Sequence, residues 1–162
     1  MIRITRLSQD RWRDHRDLRL RALKAVSSAF GSSYEEEVKH PEEVWRSRIA
    51  NVFFAVADGK PVGMMSLVFN DRIKTRHIAH IYGVYVDRSH RGKGIGRALL
   101  ERTLSEAGKK RGIIKIQLSV NPALRPAVAL YKSAGFEVVG RTRKELRIGN
   151  RFYDLLTMEK EI

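Results

Sequence analysis

The sequence predicts one mixed α/β domain over residues 1–162, with a central sheet of about seven strands flanked by about four helices. Strand-like and helix-like segments follow one another in the order β, α, α, β, β, β, α, β, α, β, β. The composition, 43% hydrophobic and 31% charged over 162 residues, is typical of one compact domain with enough apolar residues to form a hydrophobic core. A helix separates the apolar runs around Val84 and Ile116, which predicts parallel neighbouring strands joined by a right-handed crossover.

The first third of the chain is predicted to contain one strand and two helices. Residues 2–7 alternate apolar and polar side chains as a strand does, and a basic amphipathic helix follows. Residues 30–39, which include the acidic run Glu35–Glu37, are expected to form a loop. Pro41 opens the second helix, whose buried face is expected to include Trp45.

The rest of the chain alternates strands and helices. Asp58-Gly59 and Gly149-Asn150 are turn pairs between strands, which predicts a hairpin at each place. One helix is predicted over Gly94–Lys109, and a shorter one passes through Tyr131 and ends at Gly135. The predicted strands span residues 52–58, 62–69, 80–86, 113–120, 136–146 and 151–158.

Several classes of protein are disfavoured by what the chain lacks. The absence of cysteine excludes disulfides, thiolate metal sites and a covalent acyl-cysteine intermediate. The five histidines show no paired ligand spacing, so no metal is expected. The start lacks the apolar run of a signal peptide, and the longest apolar stretch, Val52–Ala57, is far shorter than the ~20 residues that cross a bilayer. We therefore expect a cytoplasmic protein that is not held in a membrane.

The charge is strongly positive. The chain has 32 Lys and Arg against 18 Asp and Glu, a net charge of +14, which favours polyanionic partners such as nucleic acid or a phosphate-rich cofactor. No zinc-finger spacing, RNA-recognition aromatic motif or helix-turn-helix pair accompanies the basic residues, so no specific nucleic acid is expected. A basic nucleic-acid-binding module remains an alternative function.

The most informative segment is the loop from Arg91 to Arg97, which follows a strand and leads into a helix. Its alternating glycines leave backbone N–H groups exposed, and the helix dipole adds positive potential, which predicts an anion site. The glycines are not expected to serve a packing need. The Walker pattern fails because Gly94 follows Lys93, and the dinucleotide pattern fails because Arg97 stands where it needs glycine.

Residues 91–96, Arg-Gly-Lys-Gly-Ile-Gly after a strand that ends Val-Tyr-Val, closely resemble the Arg/Gln-x-x-Gly-x-Gly/Ala signature of the GCN5-related N-acetyltransferase (GNAT) superfamily. The downstream segments 118–121, 130–131 and 135–136 resemble that family's second cofactor motif. In one departure, Leu124 stands where relatives often carry a second Asn. The resemblance implies a GNAT-like acyl-CoA N-acyltransferase fold, with two parallel strands splayed around acetyl-CoA.

The resemblance also implies which residues bind the cofactor and which take part in the reaction. Tyr131 matches the family's general acid, although a tyrosine at this place could simply pack in the core. Relatives often carry a Glu base on the strand before the loop, but this strand has none, which leaves His80 as the best candidate ahead of Tyr82 and Glu35–Glu37. The expected cofactor-binding residues are Val84, Val86, Arg91, Gly92, Lys93, Gly94, Ile95, Gly96, Arg97, Asn121 and Tyr131.

The expected activity is transfer of an acetyl group from acetyl-CoA to an amine, by direct attack in a ternary complex. The acceptor is either a small-molecule amine or a protein amine, and the resemblance allows a homodimer. A CoA-binding protein without catalysis is a second alternative.

Overall fold

The computed structural model describes residues 1–162 and contains a seven-stranded sheet and five α-helices. The strands are β1 (Ile2–Thr5), β2 (Val52–Ala57), β3 (Lys60–Phe69), β4 (Ile78–Val86), β5 (Lys115–Val120), β6 (Glu137–Ile148) and β7 (Arg151–Glu161). The helices are α1 (Trp12–Ala25), α2 (Tyr34–Glu37), α3 (Glu42–Ile49), α4 (Ile95–Lys109) and α5 (Arg125–Ser133). None of these helices combines the length and the hydrophobicity needed to span a membrane.

The sheet is mixed, as predicted. Its strand order is β1-β2-β3-β4-β5-β7-β6, and every neighbouring pair is antiparallel except β4 and β5. The parallel arrangement of β4 and β5, with α4 between them in the chain, confirms the prediction made from the two apolar runs. The hairpin predicted around Gly149-Asn150 is also present, between β6 and β7.

Strand β2 is apolar along its whole length because both faces of the sheet are covered there. On β2, Phe53 packs in the core shared with α4 and α5, while the adjacent Phe54 packs in the core shared with α1 and α3. Alternate residues of one strand point to opposite faces, so a strand between two layers reads as a continuous apolar run. The expected burial of Trp45 on α3 is confirmed.

The first turn of α4 packs closely on the sheet at Gly63 of β3. A Cβ atom at this position would lie 3.3 Å from a side-chain carbon of Ile95 and 3.3 Å from one of Leu99, so glycine permits the close approach. Both of those side chains are buried. This contact fixes the start of α4 beside the end of β4.

The prediction that residues 30–39 form a loop is wrong for Tyr34–Glu37, which form α2. The helix begins with a capping box, in which the Ser33 hydroxyl accepts from the Glu36 N–H at 3.2 Å and the Glu36 carboxylate accepts from the Ser33 N–H at 3.2 Å. Ser followed three residues later by Glu is the sequence pattern of this cap. The one-turn helix is the element that the predicted order omits.

Candidate functional site

A gap opens between β4 and β5 beyond the point where the two strands stop pairing. Their register runs only from Ile78 opposite Lys115 to His80 opposite Gln117. Neither strand ends there, because β4 continues to residue 86 and β5 to residue 120. The two parallel strands therefore splay apart, as the resemblance implied.

A β-bulge in β4 lies beside this gap. Met64 of β3 pairs with Tyr85 and Ser66 pairs with Tyr82, so β4 carries one extra residue over this interval. Gly83 occupies the bulge with φ of +60°, a left-handed conformation that glycine adopts without strain. Sequence reasoning missed this feature, although an isolated glycine within a strand is its usual signal.

The loop after β4 presents a row of unused backbone donors. No N–H group from Gly92 to Arg97 donates a hydrogen bond within the chain. Gly92 and Gly94 have φ of +76° and +78°, and Gly94 directly precedes α4. The side chains of Arg91, Lys93 and Arg97 are exposed around these donors. Free N–H groups, the positive end of a helix dipole and three cations are features that favour the binding of an anion.

Two of these cations also tie the loop to neighbouring elements. The Arg91 Nε donates to the Val86 carbonyl at 2.9 Å, and an Arg97 Nη donates to the Ser133 hydroxyl at 3.4 Å. The side chain of Lys93 makes no hydrogen bond within the chain. The loop is thus held to the end of β4 and to α5.

The expectation that the loop glycines serve no packing need is wrong for Gly96. A Cβ atom there would lie 3.3 Å from a Leu130 methyl group, so Gly96 lets α4 approach α5 closely. The neighbouring Ile95 has a buried side chain, and only its backbone N–H is available to a ligand. The remaining glycines, at 92 and 94, instead allow the backbone to adopt positive φ angles.

Tyr131 lies on α5 and lines the gap between β4 and β5. The residue is 4% exposed, and its ring meets that of Phe136 edge-on at a centroid distance of 5.9 Å. Its hydroxyl has no hydrogen-bond partner within the chain. Burial raises the pKa of the phenol above its ordinary value. The hydroxyl is therefore a neutral donor on a residue that lines the gap.

Two neighbouring cavities lie between the glycine loop and Tyr131. The loop cavity, of about 330 Å³, is bounded by the loop from His90 to Gly96, the end of β4 and α5. The gap cavity, of about 390 Å³, is bounded by the splayed strands and Tyr131. Both are lined by Val84 and Ala127, so the two cavities adjoin, and together they are called the cleft.

Asn121 has its side-chain amide engaged within the protein. Its Nδ2 donates to the Ser28 carbonyl at 3.0 Å, and its Oδ1 accepts from the Ala123 N–H at 2.9 Å. The residue is 2% exposed. These contacts hold the turn after β5 against the turn after α1, and a cofactor contact of Asn121 stays a prediction.

His80 lies apart from this cleft. Its Nε2 is 3.1 Å from the Asn70 amide nitrogen, its ring stacks on Tyr82, and it lines neither the loop cavity nor the gap cavity. Burial, with a smaller contribution from Lys115, lowers the pKa of His80. The structure does not bring His80 together with Tyr131.

A third cavity, the arginine cavity, lies between α1, α2, α3 and β3 and has a volume of about 290 Å³. Glu37, expected in a loop, is instead buried here with Arg19 at 2.8 Å and Arg48 at 2.9 Å. Burial acts to raise the pKa of Glu37, but the hydrogen bonds and charges of the two arginines outweigh it and leave the pKa low. Glu37 is therefore not a free carboxylate that could attract a cationic amine.

His15 also lines the arginine cavity. Burial, aided by the nearby Arg19 and Arg48, lowers its pKa to about 4. Its Nδ1 is buried without a hydrogen-bond partner. No group of three or more His, Asp or Glu side chains in the chain is arranged to hold a metal ion.

Comparison with known families gives a match over most of the chain. The model of the acetyltransferase (GNAT) family matches residues 6–136. The L-amino acid N-acetyltransferase AaaT of Escherichia coli is 26% identical over 130 residues, which cover 76% of this chain and 80% of that protein. An uncharacterised N-acetyltransferase of Methanocaldococcus jannaschii is 38% identical over 87 residues, and this match spans 52% of the chain but only 38% of that relative.

Solved structures share the fold. An acetyltransferase of the GNAT family from Streptococcus pneumoniae superposes with a TM-score of 0.88 at 20% identity and full coverage of both chains. The protein yncA from Salmonella typhimurium, solved with its cofactor acetyl-CoA, superposes with a TM-score of 0.81 at 19% identity, covering 99% of this chain and 94% of that one.

Proposed function

Since the chain belongs to the GNAT family of acetyltransferases, we propose that it transfers an acetyl group from acetyl-CoA to the nitrogen of an amine acceptor. The observation that carries the proposal is the pair of adjoining cavities that extends from the free N–H groups of the loop to Tyr131. One end of this cleft suits a pyrophosphate, and the other end suits a thioester.

The loop would bind the pyrophosphate of CoA. The N–H groups from Gly92 to Arg97 supply hydrogen bonds without any prior partner to displace, and Arg91 and Lys93 add charge at the rim. The pantetheine arm would then lie in the gap, beside the backbone of Val84. This residue has no register partner on β3 or β5, which supports a role for its N–H and C=O in hydrogen bonds to the arm.

The reaction replaces a carbon–sulfur bond with a carbon–nitrogen bond. The amine nitrogen attacks the thioester carbonyl carbon, the tetrahedral intermediate expels the CoA thiolate, and the amine nitrogen loses a proton. The thiolate gains a proton, so the products are an N-acetyl amide and CoA. The chain has no cysteine that could carry the acetyl group, which favours direct attack in a ternary complex.

Tyr131 is the donor we assign to the departing sulfur. Its raised pKa keeps the phenol protonated at neutral pH, so an O–H is always available to the thiolate. The same raised pKa makes the phenol a weak acid, so its main contribution is a hydrogen bond that strengthens as charge develops on sulfur. Edge-on packing against Phe136 restricts the orientation of the ring, which supports this role.

The proton lost by the amine has a less direct path. His80, the base expected from the sequence, lies outside the cleft, which favours transfer to water from the attacking amine. The reaction would then require that the amine enter the site in its neutral form. Activity should rise with pH until the acceptor is deprotonated.

Acetyl-CoA consumption with a panel of amines tests the proposal. We expect turnover with at least one amine and initial-rate lines that intersect when both substrates are varied, as for a ternary complex. Tight CoA binding without any turnover across the panel would instead support the CoA-binding protein that lacks catalysis. We also expect the protein to act in the cytoplasm without a specific nucleic-acid partner.

A further inference from the structure

Arg19 stands where the arginine cavity meets the gap cavity, and it lines both. Its Nη1 lies only 3.3 Å from the place that a Cβ on Gly83 would take, so this nitrogen is at the bulge of β4. Nothing within the chain accepts a hydrogen bond from Nη1. A charged donor without a partner therefore lies beside the proposed position of the thioester.

The rest of the Arg19 side chain is held firmly in place. Its Nε and Nη2 donate to the two carboxylate oxygens of Glu37 at 2.8 Å and 3.2 Å, and its guanidinium lies 4.7 Å from the centre of the Phe30 ring. Glu37 is itself fixed by a second donor, Arg48, at 2.9 Å. The side chains of Arg19 and Glu37 are 14% and 3% exposed. A buried pair with bidentate geometry loses little freedom when a ligand binds.

The charges of the arginine cavity favour an anionic ligand. Two guanidinium groups, from Arg19 and Arg48, face the single carboxylate of Glu37, and His15 is neutral near pH 7. The cavity therefore carries net positive charge, which disfavours a polyamine or a cationic peptide. His15 is 4% exposed and its Nδ1 lacks a partner, so the wall also holds an unused polar group.

From this arrangement we propose that Arg19 binds the carboxylate of the acceptor, and that the acceptor is a small α-amino acid. The inference rests on the proposed acetyl transfer. Because the free Nη1 is at the junction of the two cavities, a carboxylate bound there leaves the adjacent amino group at the gap. The acceptor's own side chain then enters the arginine cavity, whose wall includes the apolar Val52, Met64 and Val68.

The test compares acceptors that differ only in the carboxylate. Each L-amino acid of a panel is assayed beside its amide and its decarboxylated amine. The amino amide is a weaker base than the amino acid and the decarboxylated amine is a stronger one, so amine basicity alone cannot favour the amino acid over both. We expect kcat/KM for the preferred amino acid to exceed that of both analogues by about 10-fold to 100-fold, as for one charge-assisted hydrogen bond. Turnover of amines without this preference would overturn the inference and leave the proposed function intact.

Variants connect the preference to Arg19. Arg19→Gln should remove the preference for the carboxylate while the KM for acetyl-CoA stays unchanged. Because Arg19→Gln removes one of the two arginines that pair with buried Glu37, the double variant Arg19→Gln/Glu37→Gln provides a version in which the charge of that carboxylate is removed as well. Arg16→Gln is the matched control, since Arg16 is also on α1 but pairs with Asp17 on the surface.

Calorimetry with CoA-saturated protein gives a readout that needs no turnover. The preferred amino acid should bind to the wild type and to Arg16→Gln, and its affinity should fall at least about 10-fold in both Arg19 variants. Equal affinity in the Arg19 variants would contradict the inference. Absence of both CoA binding and turnover would instead contradict the proposed function.

Discussion

At the scale of single residues, the hydroxyl of Tyr131 is the group whose removal is most informative. We expect Tyr131→Phe to keep the edge-on packing with Phe136 and the affinity for acetyl-CoA, and to lower kcat by about 10²-fold to 10⁴-fold. Steady-state kinetics measure the loss, and calorimetry with CoA shows whether binding is retained. Tyr153→Phe is a matched control, because Tyr153 on β7 lines neither cavity of the cleft. Near wild-type kcat in Tyr131→Phe would return this residue to a packing role.

At the scale of elements, the loop and the first turn of α4 together are the proposed site for the pyrophosphate of CoA. Gly94→Glu places a carboxylate at the free N–H groups and also strains a residue whose φ is +78°. We expect CoA affinity to fall by at least about 100-fold, a loss of roughly 3 kcal/mol, as measured by calorimetry. Unchanged affinity would place the cofactor elsewhere.

Two controls separate charge from strain and from general damage. Gly94→Asn introduces a residue that tolerates the left-handed conformation and carries no charge. Its loss of CoA affinity should therefore be smaller than that of Gly94→Glu. Gly108→Glu makes the same substitution on the same helix, at an exposed position with open space around the new Cβ. Because α4 is about 20 Å long, a carboxylate there should leave CoA affinity unchanged.

At the scale of the whole molecule, the stability of the fold should depend on His15. Its pKa falls from 6.5 in the unfolded chain to about 4 in the folded protein, so the unfolded state binds the extra proton between these values. The contribution is fully present above pH 6.5 and is lost as the pH falls toward 4. Lowering the pH from 7 to 5 should cost about 2 kcal/mol of unfolding free energy through this residue alone.

Urea denaturation at the two pH values measures this cost. His15→Phe retains an aromatic ring against Trp45 and Phe54 but cannot titrate, so its free energy of unfolding should fall less between pH 7 and pH 5 than that of the wild type. Identical pH dependence in the two proteins would show that His15 does not limit stability in mild acid.

The sequence by itself determined the features that are set by neighbouring residues. Apolar runs and alternation predicted the strands and the longer helices, and the alternating glycines at 92, 94 and 96 predicted an anion site at a helix start. The N–H groups of the loop are free because of its local backbone conformation. Glycine adopts that conformation without strain, so the sequence alone can indicate it. Tyr131 could be proposed because its motif lies within one short segment.

Only the tertiary structure decided which distant residues meet. The acidic run around Glu37 looks like a solvated loop in the sequence, yet packing of α2 against α1 and α3 buries it between Arg19 and Arg48. The bulge at Gly83 depends on the register of β4 with β3, and the early end of pairing between β4 and β5 depends on two strands that α4 separates in the chain. Such contacts depend on the burial of both cores together, so a local signal such as the isolated Gly83 can suggest a bulge but cannot determine the register of the strands.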